Sequence, residues 1–170
     1  ALCILSAINI GKIRDVSDLK SLCDLSVRSL DELIDFQGYP VEAAEIATKA
    51  RRSLGIGYIG LAHYLAKQGV KYGDPKAWEL VHDLTEAFQY HLIESTVNLA
   101  KEKGACEYSS RTKYGQGILP IDTYKKDVDE LVPNNLKYDW DSLRALVKEH
   151  GVRNSTLSAQ MPSESSSVVS

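Results

Sequence analysis

Arg153-Asn154-Ser155-Thr156-Leu157-Ser158-Ala159-Gln160-Met161-Pro162-Ser163-Glu164-Ser165-Ser166-Ser167 is the stretch on which the reading of this chain turns. Val152 to Met161 alternates as a strand does, stops at Pro162, and hands over to hydroxyls where a helix can begin. The free N–H groups of a helix start, with the positive end of its dipole, make an anion site. Ser163, Ser165 and Ser166 can add side-chain donors to the same anion. The same serines also suit plain helix caps, and the residues alone leave both readings open.

Working outward, 170 residues suffice for one domain with a real core. With 44% apolar and 25% charged residues, the chain has the composition of an ordinary globular protein. A net charge of −3 argues against a non-specific binder of nucleic acid or of anionic membranes. No run of 18 apolar residues and no signal-peptide pattern is visible, so no membrane span is expected. Cys3, Cys23 and Cys106 are too few and too scattered for a disulfide framework or a paired metal motif. A reducing compartment, the cytoplasm, is the expected location. The first residues, Ala-Leu-Cys-Ile-Leu, are apolar and lack Met, and Val168-Val169-Ser170 ends as an element begins. Both ends suggest an excerpt of a longer polypeptide.

At the other end, Leu2 to Ile10 is apolar on both faces and reads as a buried strand closed by Gly11. Ser17 and Asp18 then cap a helix whose apolar face holds Leu19, Leu22, Cys23, Ser26, Leu30, Leu33 and Ile34. Gly38-Tyr39-Pro40 closes it, and Val41 to Lys49 forms a shorter helix. Gly55, Gly57 and Gly60 match a GxGxxG pattern, but no strand pattern precedes them and no acid follows at the right distance. They read as points of close backbone approach. Leu61 to Lys67 continues as helix, and Asp74-Pro75 opens a long one reaching about Lys103 and stopped by Gly104. Its core face is expected to hold Ala77, Val81, Leu84, Phe88, Leu92 and Leu99. Residues 105–138 carry turn chemistry, and Asp139 or Asp141 then caps a last helix closed by His150-Gly151. The coarse order is therefore strand, helices, strand and helix start, within one unit spanning 1–170 and lacking an internal boundary.

Six stretches together carry a family resemblance: ALCILSAINIG at 1–11, RRSLGIG at 51–57, LAKEKGAC at 99–106, GILPIDTYKKDVD at 117–129, YDWDSLR at 138–144 and RNSTLSAQMPSESSSVVS at 153–170. In this order they resemble the large, catalytic subunit of class I ribonucleotide reductase, in its bacterial and phage form. The resemblance implies an α/β fold, a mostly helical fragment of a ten-stranded α/β barrel with a strand near each end. It implies an oxidoreductase that replaces the ribose 2′-hydroxyl of a nucleoside diphosphate with hydrogen, for DNA synthesis.

By the same resemblance, Cys3 is one of two redox cysteines that reduce the substrate and emerge as a disulfide, although the residues alone would suit an inert core thiol. Pro162, Ser163, Glu164, Ser165 and Ser166 correspond to the substrate diphosphate site, with Glu164 contributing its N–H. Some members carry Thr where this chain has Ser165, which keeps the hydroxyl. The family's partner redox cysteine, radical cysteine, tyrosine relay, shuttle cysteines and effector regions, ATP-binding ones included, match nothing in this chain. Neither Cys23 nor Cys106 matches a catalytic position. The resemblance also implies partners: the rest of the large subunit, a metal-containing small subunit supplying the radical, nucleotide effectors, and a thioredoxin or glutaredoxin. No metal or cofactor is expected on this stretch itself. Alone it is expected to be inactive. The alternative is a split-gene or relic piece that acts only by association with complementary chains.

Overall fold

The computed structural model describes residues 1–165 and 168. The apolar opening forms β1 over Ile4–Asn9, followed by a short 3-10 turn at Ile10–Lys12. Gly55 and Gly57 lie inside a second strand: β2 spans Leu54–Ile59 and pairs in parallel with β1 from Ile4↔Leu54 to Asn9↔Ile59. The sequence reading found no strand here because glycine at alternate positions hides the period of two. The close backbone approach inferred for Gly55 and Gly57 is nevertheless present, and the strand exists because of it. The closing stretch runs along β2 as well, bridged in parallel at Ile56↔Ser158. It is held by Leu54 N–H to Thr156 O (3.0 Å), Ile56 N–H to Leu157 O (2.8 Å) and Ala159 N–H to Ile56 O (3.1 Å).

Because side chains alternate along a strand, this sheet has two unlike faces. Ile8, Leu54 and Ile56 are buried on one of them, and Tyr58 meets Phe88 edge-on with ring centroids 5.5 Å apart. That face packs on α1 (Asp18–Phe36), which buries the stripe Leu19, Cys23, Val27, Leu30 and Ile34. Leu33, expected on that stripe, is exposed, and Val27 takes the inward place. Burying five such side chains contributes about 1.5–3 kcal/mol each, before conformational entropy is set against it.

Against α1 lies α4 (Pro75–Lys103), with Asp74 before it, Pro75 in its first turn and Gly104 at φ 84° ending it. Leu84, Phe88, Leu92 and Leu99 are buried as their spacing predicts. The helix also buries Glu86, His91, Ser95 and Thr96, because it is covered on more than one side. Along the chain, α2 (Glu42–Arg51) and α3 (Leu61–Lys67) come between these two helices.

The turn-rich segment is organised around short helices, among them α5 (Pro120–Thr123), and leads into α6 (Trp140–His150). Glu86 of α4 ties this segment down, accepting from Lys137 N–H (2.8 Å), Tyr138 N–H (3.2 Å) and Trp140 Nε1–H (3.0 Å). Asp139 is the residue that caps α6, its carboxylate accepting Ser142 N–H at 2.9 Å. Among the described residues no helix is long and apolar enough to cross a membrane.

Candidate functional site

The second face of the sheet carries the chemistry. Leu5 lies opposite Gly55 and Ala7 opposite Gly57. A methyl group placed on Gly55 would stand 2.6 Å from Leu5 Cδ2, 3.1 Å from Ala159 Cβ and 3.3 Å from Cys3 Sγ. One on Gly57 would stand 2.5 Å from Ala159 O and 3.1 Å from Met161 Cε. Both positions therefore need glycine: a side chain would push the neighbouring strands apart. Their absence of side chain brings Cys3 and the Ala159–Met161 stretch onto one shallow surface.

Cys3 is a free, exposed thiol just before β1. Its sulfur lies over Gly55, and partial burial there raises its pKa above that of an ordinary thiol. Cys23 and Cys106 are also free but buried. Burial pushes the Cys23 thiol up to about 12, and burial also raises Cys106. Cys23 packs on the apolar stripe of α1, as expected from sequence, and Cys106 is buried as well.

At the far end of β2 the chain is clipped by a side chain. The Gln160 amide donates to Tyr58 O at 2.5 Å and accepts Tyr58 N–H at 3.4 Å, continuing the strand pairing through its side chain. Met161 follows, then exposed Pro162 and half-buried Ser163, whose hydroxyl donates to Met161 O at 3.3 Å. Glu164 and Ser165 form an exposed turn. Ser166, the last residue of the expected cradle, lies outside the described residues. The structure thus puts Cys3 and the lead-in Ala159–Met161 on one sheet face, two residues before Ser163.

The start of that lead-in is fixed by a buried polar cluster that the sequence reading did not single out. Asp31 of α1 is fully buried. Its carboxylate accepts from Arg52 Nε–H (2.6 Å), Arg153 Nε–H (3.1 Å) and Asn154 Nδ2–H (2.9 Å). Thr96 of α4 donates its hydroxyl to Asn154 Oδ1 and accepts Asn154 N–H, both at 2.9 Å. Arg52 adopts the left-handed backbone (φ 49°) and reaches Asp35 as well. Burial works against the Arg52 charge, but its hydrogen bonds to Asp35 and Asp31 outweigh that and raise its pKa further. The same bond from Arg52 holds Asp35 below the usual carboxylate range.

The comparisons with known proteins bear on this whole arrangement. A family model described as the ribonucleotide reductase barrel domain matches residues 1–170. The chain belongs to the ribonucleotide reductase barrel-domain family. It is 59% identical, over its full length, to the ribonucleoside-diphosphate reductase subunit alpha of Haemophilus influenzae, of which it covers 22%. The Escherichia coli K12 ribonucleoside-diphosphate reductase 1 subunit alpha is 53% identical over 81% of the chain, which covers 18% of that protein. The subunit alpha of Enterobacteria phage T4 is 47% identical over 99% of the chain and is covered to 22%. The chain therefore spans about a fifth of the length of these relatives.

Within a ribonucleotide reductase barrel, two parallel strands with helices stacked on one face are the expected local architecture, because parallel strands are joined by helical crossovers. Here the connection between β1 and β2 is α1 followed by α2. Among the described residues no group of three His, Cys, Asp or Glu side chains is arranged to hold a metal ion. The buried cluster around Asp31 is not legible in the sequence because its three side-chain donors lie 21 to 123 positions from Asp31. The one local signal was Asp31 itself, an acid on the inward stripe of an amphipathic helix.

Proposed function

We propose that this chain is the part of a ribonucleoside-diphosphate reductase large subunit that supplies one redox thiol and the cradle for the substrate diphosphate. The observation that carries the reading is the shared sheet face: Cys3 Sγ, Gly55, Ala159 and Met161 lie along it, and the chain leaves it directly into Ser163 and Ser165. Ser163 and Ser165 then hold the diphosphate through hydroxyls and backbone N–H groups, with Pro162 setting the turn and Ser166 completing the set. Glu164 contributes its N–H and turns its exposed carboxylate away from the phosphates.

Overall the reaction exchanges the ribose 2′-hydroxyl for hydrogen. Two thiols give up two electrons and two protons, the hydroxyl leaves as water, and the sulfurs join as a disulfide. Cys3 is one of those thiols, and its partner lies outside these 170 residues. The raised pKa of Cys3 keeps it as S–H, the form that carries hydrogen. A metal-containing small subunit supplies the radical, a thioredoxin or glutaredoxin resets the disulfide, and nucleotide effectors act elsewhere on the large subunit; these partners are proposals drawn from the family. No step uses a metal held by this chain, and the cytoplasm is the proposed location.

Two substitutions in the full-length subunit test the reading. Cys3→Ser should abolish turnover with thioredoxin-type donors while leaving nucleoside diphosphate binding nearly unchanged; equal loss of binding would remove the redox role. Ser163→Ala and Ser165→Ala should each weaken diphosphate binding by about 1.5–3 kcal/mol, the range for lost charge-assisted hydrogen bonds. An unchanged dissociation constant would refute the cradle.

A further inference from the structure

We propose that Asp31 is a positioning residue for the diphosphate loop, acting from the middle of α1 through Arg153 and Asn154; this rests on the reading of Ser163 and Ser165 given above. The carboxylate is sealed from solvent and has three side-chain donors at 2.6–3.1 Å, two of them consecutive residues at the start of the lead-in. Asn154 is also held by Thr96 from α4 and donates to Arg52 O at 3.2 Å. One side chain of α1 thus binds together the entry to β2 and the entry to the stretch that runs beside it.

Stability alone is a weak reason for such a cluster. Two carboxylates, the buried Asp31 and the exposed Asp35, balance two guanidiniums, the buried Arg52 and the half-buried Arg153. Desolvating them offsets most of their mutual attraction, and apolar packing of equal volume is often as stabilising. What an ion cluster supplies and apolar packing does not is register. Register matters here because a slip of one residue along β2 would reverse every side chain of the lead-in. Ala159 and Met161 would leave the Cys3 face, and Ser163 would be displaced by about 3.3 Å.

The backbone pairing with β2 selects the register only in part. Its hydrogen bonds are the same whichever residue stands opposite, and the side chains that read the alignment along it, buried Leu157 and the Gln160 clip on Tyr58, lie beyond the entry of the lead-in. The Asp31 cluster recognises Arg153 and Asn154 by their side chains, and so distinguishes the correct alignment from its neighbours.

The test uses the full-length subunit, with steady-state kinetics on a nucleoside diphosphate and thermal melting on the same preparations. Asp31→Asn keeps the shape, removes the charge, and should raise KM about tenfold or more while changing kcat less than about twofold. Thr96→Val, a milder change that leaves all four charged groups, should raise KM in the same direction by a few fold. Val147→Ala, a core truncation in α6 whose side chain makes none of the cluster's hydrogen bonds, serves as the control: it should lower Tm and leave KM unchanged. The inference fails if Asp31→Asn and Thr96→Val lower Tm without moving KM, or if Val147→Ala raises KM at an equal loss of Tm. Should Asp31→Asn not fold, Thr96→Val decides by the same KM criterion. Ser163→Ala, run alongside, separates the two levels: a raised KM there with none from Asp31 or Thr96 overturns only the positioning role. An unmoved KM in Ser163→Ala overturns the cradle and the positioning role with it.

Discussion

Three thiols share one side chain and meet three environments. Cys3 stands exposed over Gly55, Cys23 points its S–H at Phe88 O from 3.9 Å within the core, and Cys106 is buried where its N–H bonds Val152 O. Burial raises all three thiols, Cys23 to about 12. A raised pKa means less thiolate at a given pH, so alkylation of Cys3 should reach half its maximal rate above the ordinary thiol range of about 8.5. Iodoacetamide at pH 8 should then label one thiol in the native chain, the label should vanish in Cys3→Ser, and Cys23 and Cys106 should react only after denaturation. Mass spectrometry of the native protein showing two or three labels would contradict the burial of the inner thiols. Cys3 is also the clearest case of what single residues could reveal in advance. By itself it is an apolar-strand cysteine, and only the resemblance carried by the surrounding stretches marked it as reactive.

Elements with local signals were legible, and elements defined by what is missing were not. The starts and stops of α1, α4 and α6 sit within a residue or two of where the sequence places them, because Pro75, Gly104 and the Asp139 cap act within one turn; Ser17 and Asp74 stand at their helix starts without a side-chain capping bond. β2 was hidden because Gly55 and Gly57 remove the side chains whose alternation announces a strand, yet those same absences make room for Cys3, Ala159 and Met161. Gly57→Ala should therefore push the lead-in off β2. We expect a loss of about 1–3 kcal/mol of stability, the cost of overpacking, together with weaker diphosphate binding. A variant that melts and binds as the parent does would show that this close approach is not needed. The link between α5 and α6 carries a pH dependence: the hydrogen bond from Arg144 holds the Asp122 carboxyl below its usual range. A depressed acid contributes stability that is fully present above the unfolded pKa of about 3.9 and is lost as pH falls through the folded value. Acid melts of Asp122→Asn should match the parent at the lowest pH, fall below it as pH rises through the folded value, and show the full gap from about pH 5 upward; parallel curves across that range would exclude the pair as a source of acid lability.

At the scale of the whole molecule the three cysteines and the sheet face decide what this chain can do unaided. The reductive step needs two thiols within bonding distance, since a disulfide joins Cα atoms about 4.4–6.8 Å apart. Cys3 lies on the open face, while Cys23 is enclosed in the core and Cys106 is buried beside Val152. The open face itself is apolar around Cys3, with Leu5 exposed to 55% and Met161 half-buried. Exposed apolar surface of this kind favours association, and it brings Cys3 of one copy toward another rather than toward an internal thiol. The isolated 170-residue chain should therefore convert no nucleoside diphosphate in the presence of a dithiol reductant, measured by chromatography of the products. Oxidised with diamide, it should give a disulfide-linked dimer on a non-reducing gel, absent in Cys3→Ser, and no intrachain bridge by peptide mapping. Deoxynucleotide product, or a Cys3–Cys23 or Cys3–Cys106 peptide, would show that the second thiol resides in this chain after all and that the inner cysteines can reach the surface. A Cys3-linked dimer without turnover would show one accessible thiol per chain and no second thiol within its reach.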